Sequence, residues 1–192
     1  EKRRKAHEMG AIFGGRLPHS PAFVGGGSTA IATQQQKADF VAILAELREF
    51  ILSSYIPDAE RLASLHSEYL TLGRGHANML AYGAFREDDA GNNLLFRRGR
   101  KLKGSSSVQT VNPNSISEHV THSWYDQSTH NLNPASGSTV PQYPKTDAYS
   151  WLKAPRYDQT AYEVGPLARM SVNGDYTGGV SVMDRHVARA HE

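Results

Sequence analysis

The stretch RRKAHEMGAIFGGRLPHSPAFVGGG, Arg3 to Gly27, sets the reading of the whole chain. It opens as a basic, short helical run in which Arg4, His7 and Ala11 share one face, with Ile12 and Phe13 beside them. Gly14-Gly15 then stops the helix, because glycine accepts the left-handed backbone that a helix end demands. Pro18-His19 marks a turn. Gly25 to Gly27 lets the main chain approach something closely, since no Cβ stands in the way. Glycines spaced in this way around a Pro-His pair point to a backbone shaped around a partner or a cofactor.

Working outward, the 192 residues suffice for one ordinary domain with a sizeable core. Hydrophobic residues make up 39% and charged residues 21%, a globular rather than a disordered composition. A net charge of +2 is too small to argue for nucleic acid. The basic clusters at Lys2–Lys5 and Arg97–Lys103 read as solvated faces. No run of about 18 apolar residues exists, so no segment reads as a transmembrane helix, and no secretion signal is visible. The chain starts at Glu1 and ends inside a helical pattern, which suggests a piece of a longer polypeptide. With no cysteine, these residues hold no disulfide, no zinc finger and no thiolate-ligated cluster.

Residues 28–37 read as a polar loop. Ala38 to Leu52 is the clearest helix, with Phe40, Ile43, Leu44, Leu47 and Ile51 forming an apolar stripe. Pro57 breaks the run, and Asp58 caps a second helix to about Leu72, so 38–72 reads as an antiparallel helix hairpin. Residues 80–111 read as a β excursion built on a hairpin around the polar tip EDDAGNN. Asn114 or Ser115 is placed to cap a short helix whose first turn holds Glu118. Residues 126–148 read as a long surface loop of the kind that is functional or covered by a partner. A last helix runs over 179–192. The expected architecture is one partial domain over 1–192, mainly α with a small β excursion (α+β). It comprises the Gly/His block 1–27, the hairpin 38–72, the excursion 80–111, a loop-rich part 115–169 and the final helix. Part of its apolar surface is expected to lie uncovered.

Few residues make a case for chemistry by spacing alone. His119 and His122, three apart beside Glu118, share a face if helical, but two imidazoles without a third ligand are more often ordinary polar contacts. His7-Glu8 lacks the second histidine of a zinc-protease motif, since Ala11 stands there. Gly73-x-Gly75 lacks the phosphate-cradling spacing, and no serine sits in a nucleophile elbow. Trp124, Tyr125, Trp151 and Tyr157 supply bulky walls whose N–H and O–H groups need partners. Glu118, Lys153, Arg156, Glu163 and Arg169 supply charges that are costly if buried unpaired. The simpler reading makes these aromatics core and these charges structural ion pairs.

Four blocks taken together carry more. Arg4-Lys5-Ala6-His7-Glu8 with Ala11-Ile12-Phe13-Gly14-Gly15-Arg16-Leu17-Pro18-His19 resembles the R-K-x-H-E…A-x-F-G-G-K-x-P-H block of the large subunit of nickel–iron hydrogenases. Arg16 replaces a lysine there, and Gly25 stands where proline is frequent. Glu118 to Tyr125 resembles the block ending in H-S-W-Y. Tyr149-Ser150-Trp151-Leu152-Lys153-Ala154-Pro155-Arg156-Tyr157 is similar to Y-S-W-x-K-A-P-R-Y, and Glu163 to Arg169 reads E-V-G-P-L-A-R. The four occur in the family's order from Arg3 to Arg169.

The resemblance implies the central part of the hydrogenase large-subunit fold and, for the full-length parent, heterolytic H2 oxidation or proton reduction. It implies a nickel–iron centre with CO and cyanide on iron, held by two C-x-x-C pairs that this sequence lacks, so the 192 residues alone are expected to be inactive. It implies an iron–sulfur small subunit as partner and, indirectly, a membrane electron acceptor, with a membrane-associated or periplasmic location. By similarity, His19 and His122 lie toward the small subunit or the metal site. Glu118 and Lys153 are candidates for the water-mediated shell of a possible magnesium, and Glu163 and Arg169 for shaping the subunit interface. The blocks look most like those of uptake enzymes. Two other readings stand beside this one: the cysteine-free quinone-side homologue of respiratory complex I, and an interaction module with no redox role.

Overall fold

Helix α1 spans Lys2–Gly14 and stops at Gly15, whose φ of 80° lets its N–H donate back to the Ala11 carbonyl at 2.8 Å. A computed structural model describes residues 1–192, including this segment. After a cis Leu17–Pro18 peptide, β1 (Phe23–Val24) and β2 (Gly27–Ser28) pair antiparallel, with Val24 opposite Gly27. The Gly25–Gly27 run is thus the turn of this ribbon. Gly26 takes a φ of 93°, and a Cβ added at any of the three would meet nothing within 4 Å.

Helix α2 spans Gln34–Phe50 and begins with a capping box. The Gln36 N–H donates to Thr33 Oγ1 at 3.2 Å, and the Thr33 N–H donates to Gln36 Oε1 at 3.0 Å. The cap therefore draws residues assigned to the loop 28–37 into the helix. Past α2 the backbone stays right-handed helical through a π-helical turn, Ile51–Tyr55, into α3, Ile56–Leu65. The hairpin expected over 38–72 is therefore corrected to one continuous helical run. Pro57 does not break it because it falls in the first turn of α3, directly after a turn widened to i→i+5 bonding; there a missing N–H costs least. Helix α1 packs on α2 through Phe13 and Phe40, whose rings lie 5.3 Å apart. Lys2 and Lys5 flank Glu46 at 2.7 and 3.6 Å, and the hydrogen bond from Lys2 lowers the Glu46 pKa.

The chain divides into two compact units, and the boundary falls between His66 and Ser67. Both clusters of mutually packed buried residues fall within 79–188.

In the second unit, β3 (Met79–Ala81), β4 (Ala84–Arg86), β5 (Leu94–Phe96) and β6 (Gly99–Lys101) form nested hairpins. β4 pairs with β5 inside, and β3 pairs with β6 outside. The Asp88 carboxylate closes the tip by accepting the N–H groups of Asn92 and Asn93 at 2.9 and 2.8 Å.

Asn112 then caps a single 3₁₀ turn, Pro113–Ser115, and β7 follows over Ile116–His119. β7 pairs antiparallel with β8, Ala154–Tyr157, placing Glu118 opposite Pro155. The short helix expected from Ser115 is corrected to this strand. Both edges of β7 have main-chain partners: on the far side the Glu118 N–H donates to the Leu132 carbonyl at 2.9 Å, and the Asn131 N–H donates to the Glu118 carbonyl at 2.8 Å. Helix α4 (Pro166–Asn173) and helix α5 (Val182–His191) complete the unit. α4 lies against β3, and Leu167, Ala168, Met170 and Val172 pack with Met79, Ala81, Phe96 and Ala188. Each large apolar side chain so buried contributes about 1.5–3 kcal/mol.

Candidate functional site

β7 and β8 place Glu118 and Lys153 side by side. Lys153 Nζ donates to Glu118 Oε2 and to Thr139 Oγ1, both at 2.8 Å, and lies 5.5 Å from the centre of the Tyr125 ring. The pair is partly buried, with side-chain exposures of 16% for Lys153 and 28% for Glu118, so the two charges neutralise each other where neither is well hydrated. Tyr125 belongs to an aromatic cluster on the loops that follow β7. Trp124 meets Trp151 at 5.3 Å and Tyr143 at 5.5 Å, both edge-on, and Tyr125 meets Trp151 at 5.5 Å.

Tyr157, grouped with these aromatics in the sequence reading, lies elsewhere. It is buried in the smaller core with Leu80 and Val111, its hydroxyl accepts the Asn112 N–H at 3.0 Å, and the Arg100 guanidinium covers its ring at 4.8 Å. Arg100 also donates to the Tyr162 hydroxyl at 3.1 Å, which helps raise its pKa.

A cavity of about 430 Å³ opens beside Lys153, lined by His119, His122, Ser123, Tyr149 and Arg156 among others. His119 and His122 do not share a helix face: His119 ends β7, and His122 lies in the turn beyond it. The His119 ring lies tilted against His130 at 4.5 Å and its Nε2 pairs with Gln159 Oε1 at 3.0 Å, while His122 Nδ1 lies 3.2 Å from the Asp147 carbonyl. Two of the charged candidates sit away from this cavity. Arg185 on α5 grips Glu163, with Nη2 donating to Oε2 at 2.7 Å, and it also donates to the Gly73 carbonyl. Arg169 pairs bidentately with Glu192, its Nη2 donating at 3.0 Å. The carboxylate in each pair raises the arginine's pKa. His19 belongs to the first unit, exposed, with a φ of 61° and its carbonyl accepting from Arg16 Nε at 3.0 Å.

The structure thus brings Glu118, Lys153 and His122 into one neighbourhood and gives Glu163 and Arg169 separate partners. Sequence reasoning missed Tyr143, Arg185, Glu192 and Lys145, the last of which donates to the carbonyls of Val120 and Tyr125 at 2.7 and 2.8 Å. None of the four carries a local signal: the hydrogen-bond partners of Lys145, Arg185 and Glu192 lie 18 or more residues away, and Tyr143 meets Trp124 and Trp151 only in the folded chain. Lys145 pins the C-terminal end of the segment 126–148, and the Asp126 carboxylate caps its 3₁₀ turn, Gln127–Thr129, by accepting the Ser128 N–H at 2.8 Å.

This arrangement of helices and small two-stranded sheets, with paired charges around an aromatic cluster, is that of a hydrogenase large subunit, and the chain belongs to the nickel-dependent hydrogenase family, whose model matches residues 1–191. It is 39% identical to the periplasmic [NiFeSe] hydrogenase large subunit of Desulfomicrobium baculatum over 90% of this chain and 33% of that protein. It is 34% identical to the uptake hydrogenase large subunit of Bradyrhizobium diazoefficiens, again over 33% of that protein's length. It superposes on the reduced Ni-Fe-Se hydrogenase of Desulfovibrio vulgaris Hildenborough with a TM-score of 0.84 and 36% identity, covering 98% of this chain and 44% of that one. The chain therefore spans about a third of the length of these curated relatives.

The donor set does not fit a nickel–iron centre. Nickel in a redox site favours soft thiolates, and the 192 residues contain no cysteine. No three His, Cys, Asp or Glu side chains converge as a metal site would require. No helix is long and apolar enough to cross a membrane.

Proposed function

We propose that this chain forms part of the large subunit of an uptake-type nickel–iron hydrogenase, which oxidises H2 and passes the electrons to an iron–sulfur small subunit. The metal centre, with its carbon monoxide and cyanide ligands, is held by thiolates outside these residues. The observation that carries the reading is the family match over residues 1–191. The paired and neutralised charges fit a supporting role: Glu118 and Lys153 frame the metal side, where they border the water-mediated shell of a magnesium, while Glu163 and Arg169 stiffen the surface that meets the small subunit. His19 faces that subunit and His122 borders the site. The electrons then pass to a membrane acceptor, and the periplasmic relative favours a periplasmic location.

The test is to purify the full-length subunit with its co-purifying partner and to measure nickel content and H2-dependent dye reduction. About one nickel per large subunit is expected, with dye reduction that depends on H2. A complex that contains iron–sulfur clusters but no nickel, and that is inert to H2, would replace this reading with the complex I homologue. A complex with neither would leave an interaction module.

A further inference from the structure

We infer that His130 is a proton-sensitive latch that holds the 130–132 segment against β7. The buried Val120 amide, on a residue with no exposed surface, donates its N–H to His130 Nδ1 at 3.2 Å. A ring nitrogen accepts only when it carries no proton, so this bond fixes His130 as the neutral tautomer with its proton on Nε2. Protonation places an N–H against an N–H and leaves the Val120 amide without an acceptor in a site water does not reach. The chain continues directly from His130 into Asn131 and Leu132, the two residues whose main chains bond the Glu118 carbonyl and N–H on the edge of β7 away from β8. One proton is thereby coupled to the outer edge of the strand that carries Glu118.

The surroundings oppose that proton. The His119 ring lies tilted against His130, centroids 4.5 Å apart, and Lys145 Nζ lies on the Val120 carbonyl at 2.7 Å. The carboxylates carried by the neighbouring elements are engaged elsewhere: Glu118 by Lys153, and Asp126 by Ser128. Asp158 acts on Arg100. Burial first, then the charges of His119 and Lys145, lower the His130 pKa below the ordinary histidine value. The unfolded chain therefore binds the proton more readily than the folded one. The latch contributes its full stability above about pH 6.5 and loses it as pH falls through the depressed folded value.

The inference does not depend on the hydrogenase reading, and its test needs no activity. Residue-resolved hydrogen exchange of the Val120 amide is measured in the purified complex containing this chain, at about pH 5 and about pH 8, and corrected for the intrinsic pH dependence of exchange. Protection in the unsubstituted protein should drop by about tenfold at the lower pH. His130→Asn keeps a side-chain acceptor near Nδ1 and cannot titrate, so its protection should stay level across the range. His130→Ala should be unprotected at both. Equal protection of the unsubstituted protein at both pH values, or a persisting pH dependence in His130→Asn, would overturn the latch.

Discussion

At the residue scale, the second unit depends on placing long charged side chains where neighbours leave room. Gly75 is the clearest instance. A Cβ there would lie 2.4 Å from Arg185 Nη2 and 2.6 Å from Glu163 Oε2. The backbone at Gly75 needs no left-handed conformation, so the demand is purely one of space. Gly75→Ala should therefore pry the pair apart and cost about 1–2 kcal/mol, below the full penalty for a broken buried pair because both side chains are partly hydrated. A shift of the urea midpoint at constant slope measures this, and an unshifted midpoint would refute it. The weak spacing of Gly73-x-Gly75 excluded a phosphate cradle, but only the fold reveals that this glycine makes room for a guanidinium that arrives from α5.

At the element scale, capping decides where helices begin. Helix α5 starts at a capping box in which Ser181 Oγ accepts the Asp184 N–H at 3.2 Å and the Asp184 carboxylate accepts the Ser181 N–H at 2.7 Å. Asp184 also accepts the Gly179 N–H at 2.7 Å and the Tyr176 hydroxyl at 2.9 Å. Burial pushes this carboxyl up, but the bonds from Ser181, Tyr176 and Gly179 together outweigh it and hold the pKa below the ordinary carboxylate value. The lowered folded value makes the stabilisation complete above about pH 4 and removes it as pH falls through the folded pKa. Asp184→Asn should cost about 1 kcal/mol near neutrality and flatten the acid side of the stability profile. A thermal melt series across pH checks both effects, and an unchanged acid slope would mean that Asp184 contributes nothing there. The same reasoning explains α2: Thr33-x-x-Gln36, polar like a loop in composition, closes a capping box that starts the helix at Gln34.

At the scale of the whole molecule, the two units should unfold separately. Both tryptophans, Trp124 and Trp151, lie in the second unit, whereas the first is mostly helix. Both clusters of buried residues also belong to the second unit. Urea titration of the 192-residue chain should lose helical circular dichroism before tryptophan fluorescence changes, since the first unit buries little. Coincident transitions by the two probes would show one cooperative body instead.

The sequence by itself determined the family, because four motif blocks in fixed order survive any local rearrangement, and it determined that these residues bring no thiolate to a metal. It also placed the glycine stop of α1 and the polar hairpin tip, both governed by contacts a few residues apart. Only the tertiary structure decided that Glu118 rides on a strand, that the residues flanking Pro57 belong to one helical run, and that Glu163, Arg169 and Lys153 each have a named partner. Those outcomes rest on hydrogen bonds and ion pairs between groups 14 to 35 residues apart and on a π turn that re-registers the helix around a proline. Local propensity carries no trace of a partner that only the folded chain brings near.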